Sequence, residues 1–404
     1  MKPSFGWTLL SRDALRRAET QLRDDVAKVL DEIGFLALHQ AYADRFFPGT
    51  SVLHTRLRYV LFIPWMYERI SKTRGRRPIP EALEGEELKM TGRLRDANEN
   101  GVIGIQNYPK PTVQPPTMMY WSALSTWRIL RPDENGTVPS RRVVHQALSR
   151  TAPRHQVHDD DRQPLFNESS VFVALPDPPA AWNNLESPLT FRLEPAERDF
   201  LRNLLLSVSR PSQLGKMSLM ARLVGSAVHL TEEMDLWSPS VVAAADAEDR
   251  AALMRAKQAG ALAAIGRAVY SALVEQLRTQ DGMAASNQHQ SQLEDTVSAC
   301  KADALGLKIE DIILDAQSIP TRILDVLRET QSWLIQDCTD PSRLYEAYAA
   351  AENRRKGARA RLAPTLSGKE RRAEWDPDKH PTPDRLHYRW KNVRRLLMDL
   401  QGDT

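Results

Sequence analysis

The densest grouping of possible metal ligands is His155, His158, Asp159, Asp160 and Asp161, where imidazoles and carboxylates lie close together. Such donors suit a divalent cation, but they occupy a proline-flanked loop, where no helix face holds them in register, and no distant partner motif accompanies them. The expectation is a solvated acidic turn without a metal. Paired carboxylates occur at Glu232 with Glu233 and at Asp311 with Asp315. They could do acid–base work if buried together, but acidic residues on amphipathic helices normally face water. His39, His54 and His229 have no nucleophile beside them in sequence. Gly215-Lys216 lacks both the upstream glycine spacing and the following hydroxyl of a phosphate-binding loop. No Gly-x-Gly-x-x-Gly and no Gly-x-Ser-x-Gly is found. The sequence therefore offers no contiguous catalytic centre and calls for no cofactor; a centre assembled from distant residues stays open.

Cations carry the clearest chemistry. The net charge is only +3, yet basic residues crowd Arg56 to Arg95 and Arg354 to Arg395, while Glu232 to Asp249 and Glu294 to Asp340 lean acidic. Such segregation is one footprint of a protein that docks on phosphates or on an acidic partner, and solvated helix faces produce it too. The last amphipathic segment, Pro383 to Leu400, lines one face with Leu386, Trp390, Val393, Leu396, Leu397 and Leu400, and crowds the others with Arg385, Arg389, Lys391, Arg394 and Arg395. Those cations could meet a nucleic-acid backbone, with Tyr388 and Trp390 available to stack; alternatively the helix seals a core and leaves its arginines in water. Arg74, Arg76 and Arg77 form a basic, proline-containing loop of similar reach. Arg56 and Arg58 fall near the start of a helix expected after Pro48-Gly49, where free N–H groups favour an anion; a structural helix corner is the competing reading.

The elements that must position these residues are helical. Apolar residues at three-to-four spacing predict helices over Ser11 to Ile33, Leu36 to Phe47, Ser51 to about Pro64, Glu81 to Asn98 and Met118 to Leu130. Pro64 should bend or break its helix near Ile63. Pro109, Pro111, Pro115 and Pro116 forbid regular structure between Tyr108 and Pro116. Later helices are expected from Pro195, around Leu219 to Leu230, over Ala247 to Thr279 with an alanine-rich stripe, and over Gln288 to Ala304, Asp325 to Gln336 and Pro341 to about Arg361. One short run, Ser170 to Leu175, has strand character but cannot make a sheet alone.

The fold class is thus mainly α with little β: multi-helix N-terminal and C-terminal units joined by an irregular proline-rich segment. The boundaries read as a helical domain over 1–131, the irregular connection over 132–190, a second helical domain over 191–363, and a proline-punctuated tail with the basic helix over 364–404. Apolar residues at 42% and charged ones at 26% are ordinary globular values, and the length of 404 residues fits about two or three cooperative units. No apolar run approaches the roughly 18 residues of a membrane span. The first residues lack a signal-peptide core, and Cys300 and Cys338 form neither a disulfide framework nor a zinc motif, so a cytoplasmic protein is expected.

Ser4-Phe5-Gly6-Trp7, Phe46 to Ser51, Thr55-Arg56, Gly101-Val102-Ile103-Gly104, Tyr120-Trp121-Ser122-Ala123-Leu124, Gly266-Arg267-Ala268-Val269-Tyr270 and the closing Tyr388-Arg389-Trp390 together resemble the bacterial domain-of-unknown-function family 6361, nearly along the full chain. The stretch Pro132 to Pro164 departs from those motifs. The resemblance brings no catalytic residues. It implies, by genomic association with helicase and nuclease genes, a role in restricting foreign DNA. The expected function is a non-enzymatic subunit of a bacterial antiphage-defence or DNA-processing assembly, with helicase or nuclease partners and double-stranded DNA as a candidate ligand. Its rivals are a nuclease or nucleotide-acting hydrolase with a dispersed site, and a structural adaptor that touches no nucleic acid.

Overall fold

The computed structural model describes residues 32–73, 77–133, 135–150, 171–211, 213–284, 286–316, 319–336, 340–380 and 383–402. The helix expected from Ser11, the basic residues Arg74 and Arg76, the His155 to Asp161 group and Cys338 lie outside these residues, apart from the last turn's Glu32 and Ile33. The architecture is mainly α. Among the described residues the only sheet is a two-stranded antiparallel hairpin, Ser209–Arg210 with Gln213–Met217, supplemented by an isolated bridge between Leu130 and Phe172. None of the described helices is long and apolar enough to cross a membrane.

The chain forms two compact units, each discontinuous in sequence: residues 1–41 with 254–386, and residues 42–253 with 387–404. Proline punctuation suggests contiguous blocks instead, because composition reports where the chain leaves regular structure and not which distant segments pack together.

In the unit comprising 42–253 and 387–404, the helix Tyr59–Thr73 is central. Its residues from Tyr59 to Tyr67 are almost wholly buried, as expected for a helix apolar on all sides. The helix starts at Tyr59 and not near Ser51, and it continues through Pro64 to Thr73. Losing one backbone donor costs about 3 kcal/mol. Aromatic packing around the site offsets that: Phe62 stacks on Trp182 at 5.3 Å and contacts Phe191 at 6.3 Å, while Trp65 donates from Nε1 to the Pro176 carbonyl at 3.2 Å. Arg93, on the helix Ile79–Asp96, spreads its guanidinium over the carbonyls of Ala181, Trp182, Asn184 and Ser187, fixing a segment with little regular structure of its own.

Several expected helices are shorter or broken. Met118 to Leu130 becomes Pro116–Met119 and Trp121–Thr126. The chain then turns at Arg128, φ +59°, so that the Leu124 carbonyl accepts from both Ile129 and Leu130. The helix from Leu219 ends at Gly225; the following strand-like backbone is satisfied by Gln401, whose side chain bonds Val228 O and Leu230 N. The proline-rich segment contains the helix Arg141–Arg150, and the C-terminal helix spans Trp390–Gln401, with Tyr388 and Arg389 preceding it at φ +49° and +63°. The helix Pro195–Leu206 begins as expected, with Pro195 at its first position and a capping box between Glu194 and Glu197.

In the unit comprising 1–41 and 254–386, the helix Ala247–Gln280 supplies an alanine-rich span whose residues from Ala259 to Ile265 are all buried. Small residues allow close approach: a Cβ added at Gly266 would lie 2.6 Å from Phe35 Cζ. Tyr270 donates to Glu352 at 2.7 Å, and the other Glu352 oxygen accepts from Leu362 N at 2.8 Å. Thr330 and Tyr348 share a buried hydroxyl pair at 2.7 Å. Cys300 is a free, buried thiol on the helix Gln288–Leu305.

Candidate functional site

The sequence-predicted cations divide by what they touch. Arg56 is buried, and its Nε lies 3.0 Å and 3.1 Å from the two oxygens of Asp399. Arg58 is buried too, donating to Glu197 at 2.6 Å and to the Thr190 carbonyl at 2.9 Å. Both precede the helix at Tyr59 and serve the interior. Arg389 donates to Asp44 at 2.6 Å and to the Thr50 carbonyl at 2.8 Å; Arg394 donates to the Met234 carbonyl at 2.7 Å. Arg385, in the other unit, holds Asp303 at 2.5 Å and the Ala299 carbonyl at 3.0 Å. Lys391, Arg395 and Arg77 are exposed. Arg395 has only a loose approach, 3.9 Å, to Glu232, itself largely exposed.

The residues that carry the family resemblance in this unit converge on one hydrogen-bonded knot. The Tyr120 hydroxyl accepts from Thr55 N at 2.9 Å and Arg56 N at 3.0 Å, and donates to Arg56 O at 2.8 Å. Thr55 donates to the Gly101 carbonyl at 2.6 Å, and Ile103 N donates to the Tyr59 hydroxyl at 2.9 Å. His54 stacks on Tyr120 with centroids 4.1 Å apart, accepts from Ser51 N at Nδ1, and reaches Met119 O from Nε2 at 3.0 Å. That bonding fixes the Nε2–H tautomer. Burial lowers its pKa to about 4; the bond to Met119 opposes this and the Arg389 charge adds to it. Gly49, at φ +81°, passes so close to Thr126 and Trp127 that a Cβ would meet them at 2.8 and 2.9 Å. From the C-terminal helix, Asn392 bonds the Val52 and His54 carbonyls, both at 2.9 Å. This polar bonding holds 50–58 in turns, which is why no helix begins at Ser51.

The same unit has a cleft that no sequence motif marks. The helix Ile79–Asp96 presents Leu83, Glu84, Glu87, Leu88 and Thr91 along one face, as three-to-four spacing requires. The loop from Gly104 to Thr117 adds Lys110 and several prolines, and the helix Arg141–Arg150 adds Arg141 and His145, one turn apart. An inner hollow of about 140 Å³ and an outer one of about 470 Å³ share Pro80, Arg141 and His145. Glu87 is buried and accepts from Thr117 N at 3.0 Å. Burial pushes its carboxyl up, against the opposing bonds from Thr117 and the charge of Arg141. His145 Nε2 lies 2.8 Å from the buried Tyr67 hydroxyl. Burial lowers the pKa of His145, and the Arg141 charge lowers it further. A carboxyl raised and an imidazole lowered bring two proton-carrying groups toward the same pH range. Arg141 and His145 at i, i+4 were a legible signal; that they line one cleft with Glu87 was not.

Other candidates resolve differently. Glu232 and Glu233 are exposed, and Asp315 is held by Arg255 at 2.6 and 2.7 Å. Lys216 of the Gly215-Lys216 pair extends from the hairpin to Glu248 at 2.6 Å. Among the described residues no group of three or more His, Cys, Asp or Glu side chains could hold a metal ion.

Fold and site together define a mainly helical protein with an internal polar knot and a mixed-charge cleft. The sequence model of a family of unknown function, DUF6361, matches residues 4–305, and the chain belongs to that family. The match includes the cleft and the knot apart from Asn392; Tyr388-Arg389-Trp390 lies beyond it. No curated protein and no solved structure matches the chain.

Proposed function

We propose that the chain is a non-enzymatic subunit of a bacterial DNA-processing or antiphage-defence assembly, meeting helicase or nuclease partners through helical surfaces and double-stranded DNA through exposed cations. The observation that carries the DNA contact is the pair Lys391 and Arg395, one turn apart and exposed on a helix whose apolar face is buried. The anchored helix fixes where those charges sit, and the surface approach of Arg395 to Glu232 is worth at most about 1 kcal/mol, so a phosphate can displace it. Arg77, exposed before the helix Ile79–Asp96, adds a further cation. Co-expression with the products of neighbouring genes tests this reading. A helicase or nuclease should co-purify, and the complex should bind duplex DNA at low salt. Co-purification without DNA binding would select the adaptor reading, and absence of both would overturn the proposal.

The cleft favours a second reading, a nucleotide-acting hydrolase, because a carboxyl raised by burial, Glu87, and an imidazole lowered by burial, His145, line one hollow. Turnover of nucleotides by the purified chain, abolished in Glu87→Gln, would support it; an inert chain would remove it.

A further inference from the structure

The cleft over Glu87 is lined by two cationic side chains, Arg141 and Lys110. Several buried cationic side chains of this unit are held by protein groups: Arg58 by Glu197 and a carbonyl, Arg93 by carbonyls, and Arg210 by Asp246, Glu248 and Asp249. Arg141, half-buried, and Lys110, at the rim, both line the cleft, and neither side chain has a hydrogen bond or ion pair with any described residue. Arg141 is also the first residue of a ten-residue helix, where the dipole favours an anion; Ser140 takes the Val143 N–H, and the N–H groups of Arg141 and Arg142 have no helical acceptor. Two unspent cations beside a helix start match a doubly charged anion better than a singly charged carboxylate. Pro80, Leu83, Pro111 and Pro116 give the inner hollow of about 140 Å³ apolar walls, and at Pro80, Arg141 and His145 it adjoins the outer hollow of about 470 Å³.

We propose that this cleft binds a small organic phosphomonoester, with the phosphate between Arg141 and Lys110, the organic part against the prolines and Leu83, and Glu87 hydrogen-bonded to a polar group of the ligand. The assignment rests on the cleft that motivates the hydrolase reading but requires no turnover. It is separate from DNA binding at Lys391 and Arg395.

Calorimetric titration of the full chain with adenosine 5′-monophosphate, ribose 5-phosphate, inorganic phosphate and adenosine tests it. The two phosphomonoesters should bind, inorganic phosphate more weakly, and adenosine not measurably. Arg141→Gln and Lys110→Gln should each weaken binding tenfold or more, as expected for loss of a charge-assisted hydrogen bond. Arg371→Gln, at a half-buried cation of the other unit, should leave it unchanged, and thermal melting checks that each variant is folded. Equal affinity for the two esters supports recognition of the phosphate and sugar; preference for the nucleotide supports added contact with the base. No binding of either ester up to millimolar concentration, equal binding of adenosine, or binding unaffected in both cleft variants would overturn the proposal. Binding without turnover leaves it standing and removes the hydrolase reading alone.

Discussion

Asp399 and Arg56, 343 residues apart in sequence, form a buried, doubly hydrogen-bonded ion pair, and Asp399 also accepts from Leu57 N at 2.7 Å. One carboxylate thus ties the C-terminal helix to the turn that precedes the central helix of the same unit. Asp399→Asn should cost about 3–5 kcal/mol, the usual effect of leaving a buried charge without its partner. Replacing both residues with apolar ones of similar volume should recover part of that loss. Urea denaturation of the single and double variants measures both, and a single-variant loss under about 1 kcal/mol would contradict the account.

Tyr120→Phe removes the one hydroxyl shared by Thr55 N, Arg56 N and Arg56 O. Two backbone donors lose their acceptor, so the variant should lose on the order of 2 kcal/mol while keeping its helical content. Equilibrium denaturation combined with circular dichroism checks the two halves of that statement.

His54 gives the knot a pH dependence. Its pKa falls from the ordinary 6.5 to about 4, chiefly through burial. Between those values the unfolded chain takes up a proton that the folded chain refuses. The stabilisation is therefore complete above pH 6.5 and is lost as pH falls toward 4, by about 3 kcal/mol in all. His54→Gln should be less stable at neutral pH yet decline less across that window. Parallel slopes for the two proteins would argue against His54 as the source.

Gly266 poses a test in the other unit. Alanine has the better helix propensity, but its Cβ would meet the Phe35 ring at 2.6 and 2.9 Å and the Tyr348 hydroxyl at 3.0 Å. Overpacking of about 1–3 kcal/mol should outweigh the propensity gain. Phe35→Leu combined with Gly266→Ala should relieve part of the loss; additivity of the two changes would show that they do not meet.

The legible parts of this molecule are those written locally. Three-to-four spacing announced the helices at Leu36, Ala247 and Gln288, and the buried face of the last helix was readable from Trp390 to Leu400 because amphipathic periodicity survives without knowledge of neighbours. What the spacing could not carry was partnership. Arg56 and Arg389 look like surface cations until Asp399 and Asp44 are found beside them, and the start at Ser51 fails because Tyr120, far along the chain, satisfies the backbone that a helix would have claimed. Glu87 reads as one more acid on an amphipathic helix; only the fold sets it under Arg141 and beside the helix that bears His145.

This partnership also decides which charge changes test the proposed DNA contact. Arg389 and Arg394 anchor the fold through Asp44, Thr50 and Met234, so their reversal would disturb structure as well as charge. Lys391 and Arg395 are the sound positions.

The most direct measurement is the salt dependence of duplex DNA binding by the full chain and by its Lys391→Gln/Arg395→Gln variant, read by fluorescence anisotropy. Each phosphate contact contributes about 0.9 to the slope of log affinity against log salt, so the double variant should keep its melting temperature and lose a slope of about two. An unchanged slope, or no binding by the unaltered chain at low salt with or without its partners, would contradict the account.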